Sequence, residues 1–301
     1  MPSQRVAALV RGRSGAGAVA VASSLLVWLV LGLPGDGAGA LAAEAPSRGH
    51  LLLIGGGGEP DVVWAKFFEL AGGKDSPIVV VPTASGEPET GPEYVADLKA
   101  RGATDVVNLP IHGPEDAAKP ENVAALARAR GVFFTGGDQS RITRAFLGSP
   151  ALAALRTAFE NGAVLSGTSA GLACMSEVMI TGEGDFTVIQ RGAVETVTGL
   201  GFVRDAILDQ HFVTRQRLNR LLSVVLEHPD LVGVGVDEMT AVWIKPDRTF
   251  EVLGESNVLV IDATGAKVES VAQGARQRAR GVEFHVLAAG DVFDLRPRRT
   301  P

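Results

Sequence analysis

From residue 49 onward, short unbroken apolar runs alternate with amphipathic segments. Such a run is typical of a strand buried on both faces, and the amphipathic segment after it is typical of a helix that covers the sheet. The strand candidates are 50–54, 78–82, 105–109, 131–134, 163–166 and 232–236. The helix candidates are 62–70, 93–100, 120–129, 142–147, 151–161, 170–176 and 215–227. The sequence therefore predicts an α/β fold with a mostly parallel sheet between helical layers.

The rhythm changes after Thr240. Apolar runs at 241–244, 249–253, 258–261 and 282–287 are separated by turn residues rather than by helices. Short runs joined by turns favour antiparallel pairing, so we expect an antiparallel extension of the same sheet. No repeat or Pro/Gly-rich linker divides residues 43–301, which we expect to form one domain.

The first 42 residues have the order of a secretory signal peptide. Arg5, Arg11 and Arg13 precede the apolar run 18–33, and small residues follow it at 40–42. This order predicts cleavage after Ala42, export to the periplasm or the medium, and no stable membrane association afterwards. An uncleaved anchor is the alternative, although the run of 16 residues is short for a bilayer that needs about 20.

Charge and composition exclude several classes of function. The net charge is −6, and it becomes −8 without residues 1–42, which contain three Arg and one Asp. This charge argues against a protein whose affinity depends on neutralising nucleic-acid phosphates. Cys174 is the only cysteine in the sequence and there are five histidines, so neither a disulfide nor a Cys-rich zinc site is available. We expect a small-molecule or peptide substrate and no metal or organic cofactor.

The strongest local signal is a Gly-x-Ser-x-Gly pentapeptide between a strand and a helix. It occupies 167–171, with Ser169 at its centre. In a nucleophile elbow the serine takes a strained turn that only small neighbours permit, and its hydroxyl projects at a helix N-terminus. The sequence predicts Ser169 as the nucleophile. A tight strand-to-helix turn with a capping serine is the alternative.

A catalytic serine needs a base, and His211 is the best placed of the five histidines. It follows Asp209 and Gln210 at the end of an apolar run, and the carboxyl ends of strands are where open α/β sheets build their sites. A histidine held at the rim of the core is the alternative.

The orienting carboxylate is predicted at the end of the buried run 232–236. Glu238 is the best candidate and Asp237 is its nearest rival, while Asp185 and Glu195 lie in less structured sequence. A solvated turn at a strand end is the alternative interpretation of the acidic pair.

Two glycine-rich loops follow predicted strands. The loop 135–139 is suited to an oxyanion hole, in which the amide of Gly137 would join that of Ala170, and Gln139 can bind a polar substrate group. The run 55–59 resembles a phosphate loop but lacks the Gly-Lys-Ser/Thr and the G-x-G-x-x-G patterns. We interpret it as a tight turn that allows backbone or ligand to approach closely.

Three arginines follow His211 at the start of a predicted helix: Arg215, Arg217 and Arg220. Guanidinium groups beside a catalytic histidine can bind substrate carboxylates through two parallel hydrogen bonds. A solvated basic helix face is the alternative.

Four motifs in order resemble the cyanophycinases, which belong to the serine peptidase family that also includes peptidase E. They are TGGDQ at 135–139, GTSAG at 167–171, DQHF with the three arginines at 209–220, and GVDE-x-TA at 235–241. The resemblance runs from about Gly49 to Pro297. It implies a flavodoxin-like fold, similar to class I glutamine amidotransferases and built as a three-layer sandwich, that forms homodimers without a cofactor.

The resemblance also implies an activity and assigns roles. Cyanophycinases cut cyanophycin, a poly-aspartate with arginine on each β-carboxyl group, to β-Asp-Arg dipeptides. Ser169 would be the nucleophile, His211 the base and Glu238 its orienting carboxylate. The substrate-binding positions would be Gln139, Asp209, Gln210, Arg215, Arg217 and Arg220. We expect an acidic group such as Asp209 to meet a substrate guanidinium, and the sequence leaves open whether Asp209 or Gln210 does so. An exported Asp-specific dipeptidase of the peptidase E type and a non-catalytic binding protein on the same fold are the alternatives.

Overall fold

The computed structural model describes residues 48–296. The predicted signal peptide lies outside these residues. Within them, no helix is long and apolar enough to cross a membrane. The helices of residues 48–296 are α1 Asp61–Ala71, α2 Thr90–Ala100, α3 Pro114–Ala117, α4 Pro120–Arg128, α5 Gln139–Phe146, α6 Pro150–Glu160, α7 Ala170–Ala173 and α8 Leu218–Glu227.

Strands make up most of the remaining regular structure. Those in residues 48–296 are β1 His50–Ile54, β2 Ile78–Val81, β3 Val106–Asn108, β4 Gly131–Phe134, β5 Val164–Thr168, β6 Val178–Gly184, β7 Val194–Thr198, β8 Ala206–Gln210, β9 Val232–Val236, β10 Thr240–Ile244, β11 Thr249–Gly254, β12 Val258–Asp262, β13 Lys267–Val268, β14 Ala279–Arg280, β15 Glu283–Leu287 and β16 Val292–Asp294.

The larger sheet of the described residues has eight strands in the order β16-β11-β10-β1-β5-β4-β2-β3. The five strands from β1 to β3 in this order are parallel, and β10, β11 and β16 extend the sheet antiparallel beyond β1. This confirms the predicted α/β class with a mostly parallel sheet and an antiparallel extension.

Both faces of the parallel strands are buried. In β1, Leu51 and Leu53 point into one core cluster while Leu52 and Ile54 point into another. Helices α1 and α2 cover the second face, and α4 to α7 pack on the first. Because alternate side chains of each strand go to opposite cores, every residue of the run has to be apolar. This is why the strands appear in the sequence as unbroken apolar runs.

A second sheet carries part of the predicted extension. Its order is β15-β12-β9-β8, with β8 and β9 parallel and β12 and β15 antiparallel. The prediction that all late strands extend one sheet is therefore right for 241–244 and 249–253 and wrong for 258–261 and 282–287. Helix α8 covers one face of this second sheet, while the other face joins the core of the larger sheet.

Two local features differ from what the sequence predicted. The predicted helix 215–227 begins only at Leu218, because residues 211–217 form turns in which Gln216 has a positive φ of 52°. The segment 177–198, which the sequence left without an element, forms the antiparallel hairpin of β6 and β7. Its strands mix apolar and polar side chains without a long apolar run, so they give a weak sequence signal.

Candidate active site

Ser169 lies at a sharp turn between β5 and α7. Its backbone has φ 52° and ψ −106°, a conformation that is unfavourable for a residue with a side chain. The flanking glycines are needed for packing: a Cβ on Gly167 would lie 2.4 Å from the Gly171 backbone, and one on Gly171 would lie 2.4 Å from the carbonyl oxygen of Phe134. The G-x-S-x-G pattern therefore reflects close contact of strand and helix on both sides of the serine.

The structure brings Ser169, His211 and Glu238 into one hydrogen-bonded chain. The distance from Ser169 Oγ to His211 Nε2 is 2.9 Å, and that from His211 Nδ1 to Glu238 Oε1 is 2.7 Å. His211 follows β8 and Glu238 follows β9 by two residues, so the carboxyl ends of the second sheet meet the carboxyl end of β5. The candidate site thus lies where the two sheets meet.

Asp237, the rival carboxylate, points away from the histidine. One of its oxygens accepts hydrogen bonds from the amides of Val213 and Thr214, and the other accepts one from the hydroxyl of Ser256. Burial raises the pKa of Asp237, but these hydrogen bonds outweigh burial and the net pKa lies below the usual value. Its carboxylate holds the turn after β8 that presents His211.

The electrostatics keep His211 neutral. Burial lowers the pKa of the imidazole, the hydrogen bond with Glu238 opposes that shift, and the charges of Arg215 and Arg217 lower the pKa further. With Glu238 accepting the proton of Nδ1, the lone pair of Nε2 faces Ser169. A neutral imidazole in this tautomer can accept the hydroxyl proton.

The glycine loop after β4 lies beside the serine. The position of a Cβ on Gly136 is 3.5 Å from Ser169 Cβ, while Gly137 has φ 138° and passes against the carbonyl of Ala84. Ala170 is the first residue of α7, so its amide has no acceptor within the helix. Gly137 lines the same cavity as Ser169, and Ala170 follows the serine directly, so the amides of both residues are candidates for the oxyanion hole.

Gln139 is held by the hairpin of β6 and β7. Its Nε2 donates to the carbonyl of Ile180 at 2.8 Å and to that of Thr181 at 2.7 Å. Both N–H groups of the amide are therefore used within the chain. Gln139 lines the cavity described below, but it reaches a substrate only through its remaining oxygen.

Asp209 is buried beneath the site. It is 0% exposed, and both of its oxygens accept hydrogen bonds from the guanidinium of Arg220, which is 2% exposed. The Nη1 of Arg217 lies 3.8 Å from the same carboxylate and donates to the carbonyl of Gln210 at 2.8 Å. This arrangement leaves no room for the direct contact between Asp209 and a substrate guanidinium that we expected. Asp209 instead holds two arginines in place.

A cavity of about 910 Å³ opens from Ser169 and His211. One wall carries Arg215, Arg217 and the edge of Arg220, with Gln210 beside them. Burial, as the larger cause, and the neighbouring charge of Arg220 lower the pKa of Arg217 to about 10.

Sequence reasoning missed a second wall of the cavity. It consists of the hairpin of β6 and β7, which contributes Glu183, Glu195 and Phe186. The sequence indicates Glu195 only as a candidate partner for His211. Asp185, the other candidate in this segment, accepts hydrogen bonds from Thr187 instead of reaching the site. Glu183 lies 12 residues after the GTSAG motif and Glu195 lies 14 residues before the DQHF motif, and neither glutamate carries a sequence signal of its own.

Three comparisons with known proteins show what the chain is similar to. Residues 51–252 match peptidase family S51. The chain is 36% identical over 259 residues to a cyanophycinase of Synechococcus elongatus, a match that covers 82% of this chain and 80% of that protein. It is 35% identical over 256 residues to a cyanophycinase of Nostoc sp. strain PCC 7120, covering 82% and 86% of the two chains.

Among solved structures, the fold is similar to a peptidase from an acI-B1 actinobacterium. The TM-score is 0.61 at 21% identity, covering 83% of this chain and 98% of the other. The family match, the relatives and the Ser–His–Glu arrangement lead to one conclusion: the chain belongs to peptidase family S51.

Proposed function

We propose that this chain is an exported cyanophycinase, a serine hydrolase that cuts cyanophycin to β-Asp-Arg dipeptides through an acyl-enzyme. The observation that carries the proposal is the hydrogen-bonded chain of Ser169, His211 and Glu238 beside a cavity that is lined by arginines from the turn after β8 and by glutamates from the hairpin of β6 and β7. The relatives named cyanophycinase support the choice of substrate.

The first half of the reaction forms a covalent intermediate. His211 Nε2 takes the proton of Ser169 Oγ as that oxygen attacks the carbonyl of the aspartate chain, and Glu238 stabilises the resulting imidazolium. The amides of Ala170 and Gly137 hold the negative oxygen of the tetrahedral intermediate. The imidazolium then gives its proton to the leaving amine, and the carbonyl stays bonded to Ser169 as an ester.

The second half releases the product. His211 takes a proton from a water molecule, which attacks the ester carbonyl, and the imidazolium returns the proton to Ser169 Oγ as the C–O bond breaks. The neutral form of His211 is required at the start of each half. The lowered pKa of His211 keeps that form available at neutral pH.

The two walls of the cavity match the two charges on each unit of the polymer. In this proposal Arg215 and Arg217 bind substrate carboxylates. Glu183 and Glu195 bind the substrate guanidinium, which the sequence suggested for Asp209. Both glutamates line the cavity, and no arginine or lysine within residues 48–296 forms an ion pair with either of them. The hydroxyl of Thr181 donates to Glu195 at 2.9 Å, which directs that carboxylate without neutralising it.

Export is part of the proposal and depends on the sequence of residues 1–42. An insoluble polymer has to be cut outside the cell before its products can be imported. The mass of protein recovered from the periplasm and the medium of expressing cells tests this step. We expect a chain that begins at Ala43, whereas a full-length chain in the membrane fraction would favour the anchor.

The test of activity compares the wild type with Ser169→Ala on insoluble cyanophycin. We expect soluble β-Asp-Arg by mass spectrometry from the wild type and a loss of at least about 1,000-fold in the variant. Thermal unfolding of both proteins is the control for folding. If the polymer stays intact while a dipeptide with N-terminal aspartate is cleaved, the enzyme is an Asp-specific dipeptidase and the substrate assignment is wrong.

A further inference from the structure

Three successive carbonyls at the end of β1 each accept a hydrogen bond from a turn that carries the catalytic residues. In the segment 54–56, the first carbonyl accepts from the amide of Ser169 at 2.9 Å and the second from the amide of His211 at 2.8 Å. The third accepts from the amide of Met239, next to Glu238, at 2.8 Å. The three turns come from different strands and two sheets, yet they share this one segment.

The same three amides belong to strained residues. Ser169, His211 and Met239 have φ values of 52°, 48° and 52°, and they are three of the five non-glycine residues with positive φ in residues 48–296. A residue with a side chain keeps this conformation only where its surroundings hold it. The hydrogen bonds to segment 54–56 supply such a restraint at each of the three turns.

The next contact is between glycine backbone and catalytic side chains. A Cβ on Gly56, which has φ 104°, would lie 2.2 Å from His211 Cε1. A Cβ on Gly57, which has φ 74°, would lie 2.5 Å from Glu238 Cβ and 2.8 Å from its Oε2. The imidazole and the carboxylate therefore pack directly on the backbone of the loop 55–58.

The far end of the loop is fixed as well. Glu59 accepts a hydrogen bond from the hydroxyl of Tyr94 at 3.0 Å and is also hydrogen-bonded to the side chain of Thr168, which precedes Ser169. Tyr94 in turn packs against Phe133 in the core, with ring centroids 4.9 Å apart. The loop is thus held at one end by β1 and at the other end by the hydrogen bonds of Glu59.

We propose that the segment 54–58, which consists of the last residue of β1 and the glycine loop 55–58, positions all three members of the catalytic chain. Its carbonyls hold the backbone of the three turns through hydrogen bonds. Because Gly56 and Gly57 have no side chains, His211 and Glu238 can pack against the loop at the distance that lets them bond to each other. This inference rests on the proposed function, since it takes Ser169 as the nucleophile. Gly56 and Gly57 are positioning residues here, because they act through the imidazole and the carboxylate.

The test substitutes alanine at Gly56 and at Gly57, with Gly73→Ala as the matched control. Gly73 has φ 115° and no atom within 4 Å of its Cβ position, so this variant has the backbone strain without the contact. The readout is the rate at which a fluorophosphonate labels Ser169, corrected for the folded fraction measured by circular dichroism. Displacing a reacting group by about 1 Å lowers a reaction rate about 100-fold. We therefore expect the labelling rate to fall by about that factor in both variants and by less than about threefold in the control.

A second readout separates positioning from lost stability. The hydrogen bond from Glu238 raises the pKa of His211. Gly57→Ala displaces that carboxylate, so the acidic limb of the labelling rate should move to lower pH, a shift that partial unfolding does not produce. Equal labelling per folded molecule in all three variants, with unchanged pH profiles, would overturn the inference.

The labelling experiment distinguishes failure of this inference from failure of the proposed function. Wild-type protein that labels at Ser169 but leaves cyanophycin intact refutes the substrate, and the labelling rates still decide the role of the loop. Wild-type protein that does not label refutes Ser169 as an activated nucleophile, and the positioning role falls with it.

Discussion

Replacing Asp209 with asparagine removes the negative charge from a buried ionic cluster. Asp209 is fully buried and Arg220 is 2% exposed, with Arg220 Nε 2.7 Å from Asp209 Oδ2 and a second guanidinium nitrogen on Oδ1. Arg217 Nη1 lies 3.8 Å from the same carboxylate. After the substitution, the guanidinium of Arg220 would be buried without an opposite charge.

The expected loss of stability follows from this burial. Breaking a buried ion pair by neutralising one partner destabilises a protein by about 3–5 kcal/mol. For a domain of this size, 1 kcal/mol corresponds to about 2–4 °C in the midpoint of thermal unfolding. We therefore expect Asp209→Asn to lower the midpoint by about 6–20 °C.

The assay is thermal unfolding followed by circular dichroism, together with steady-state kinetics on soluble β-Asp-Arg oligomers. The control is the double variant Asp209→Leu with Arg220→Met, which removes both charges and should recover most of the stability. The reasoning fails if Asp209→Asn unfolds within about 2 °C of the wild type while KM rises at least tenfold. That result would make Asp209 a direct contact of the substrate.

Two further predictions concern charges near the site. Glu238→Gln should lower kcat by up to about 10,000-fold. It should also move the acidic limb of kcat/KM to lower pH, because the carboxylate raises the pKa of His211, and a pH profile from 4 to 8 checks the sign. Glu183→Gln and Glu195→Gln should each raise KM for β-Asp-Arg oligomers about threefold to tenfold with kcat little changed. An unchanged KM in both variants would place the guanidinium elsewhere.

The sequence predicted the parallel strands and the serine turn because both depend on local rules. A strand buried on two faces must be apolar throughout, and the elbow needs glycine where strand and helix touch, as at Gly167 and Gly171. It also placed His211 and Glu238 at strand ends. These features could be inferred without knowing the partner of any residue.

The remaining features depend on partners far along the chain. Whether Asp209 faces a substrate or an arginine is decided by the side chain of Arg220, eleven residues away, which folds back beneath it. The division into two sheets depends on β9 pairing with β8 and β12 instead of joining β1. The hydrophobic periodicity of the sequence does not distinguish these pairings, because a buried strand has the same apolar run in either sheet.

The ion pair of Asp209 and Arg220 beneath the cavity affects the balance between positive and negative charges that line it. Arg144 and Asp138 also line the cavity, but they form an ion pair with each other and cancel. The three arginines after His211 less the one charge of Asp209 leave two positive charges on one wall, and the hairpin supplies the negative charges of Glu183 and Glu195. Each unit of cyanophycin carries one free carboxylate and one guanidinium, so two units would satisfy both walls. Without Asp209, the cationic wall would hold an excess charge and would repel the guanidinium of every unit that entered. For the proposed substrate, we therefore expect the buried carboxylate of Asp209 to contribute to selectivity through the charge that it cancels.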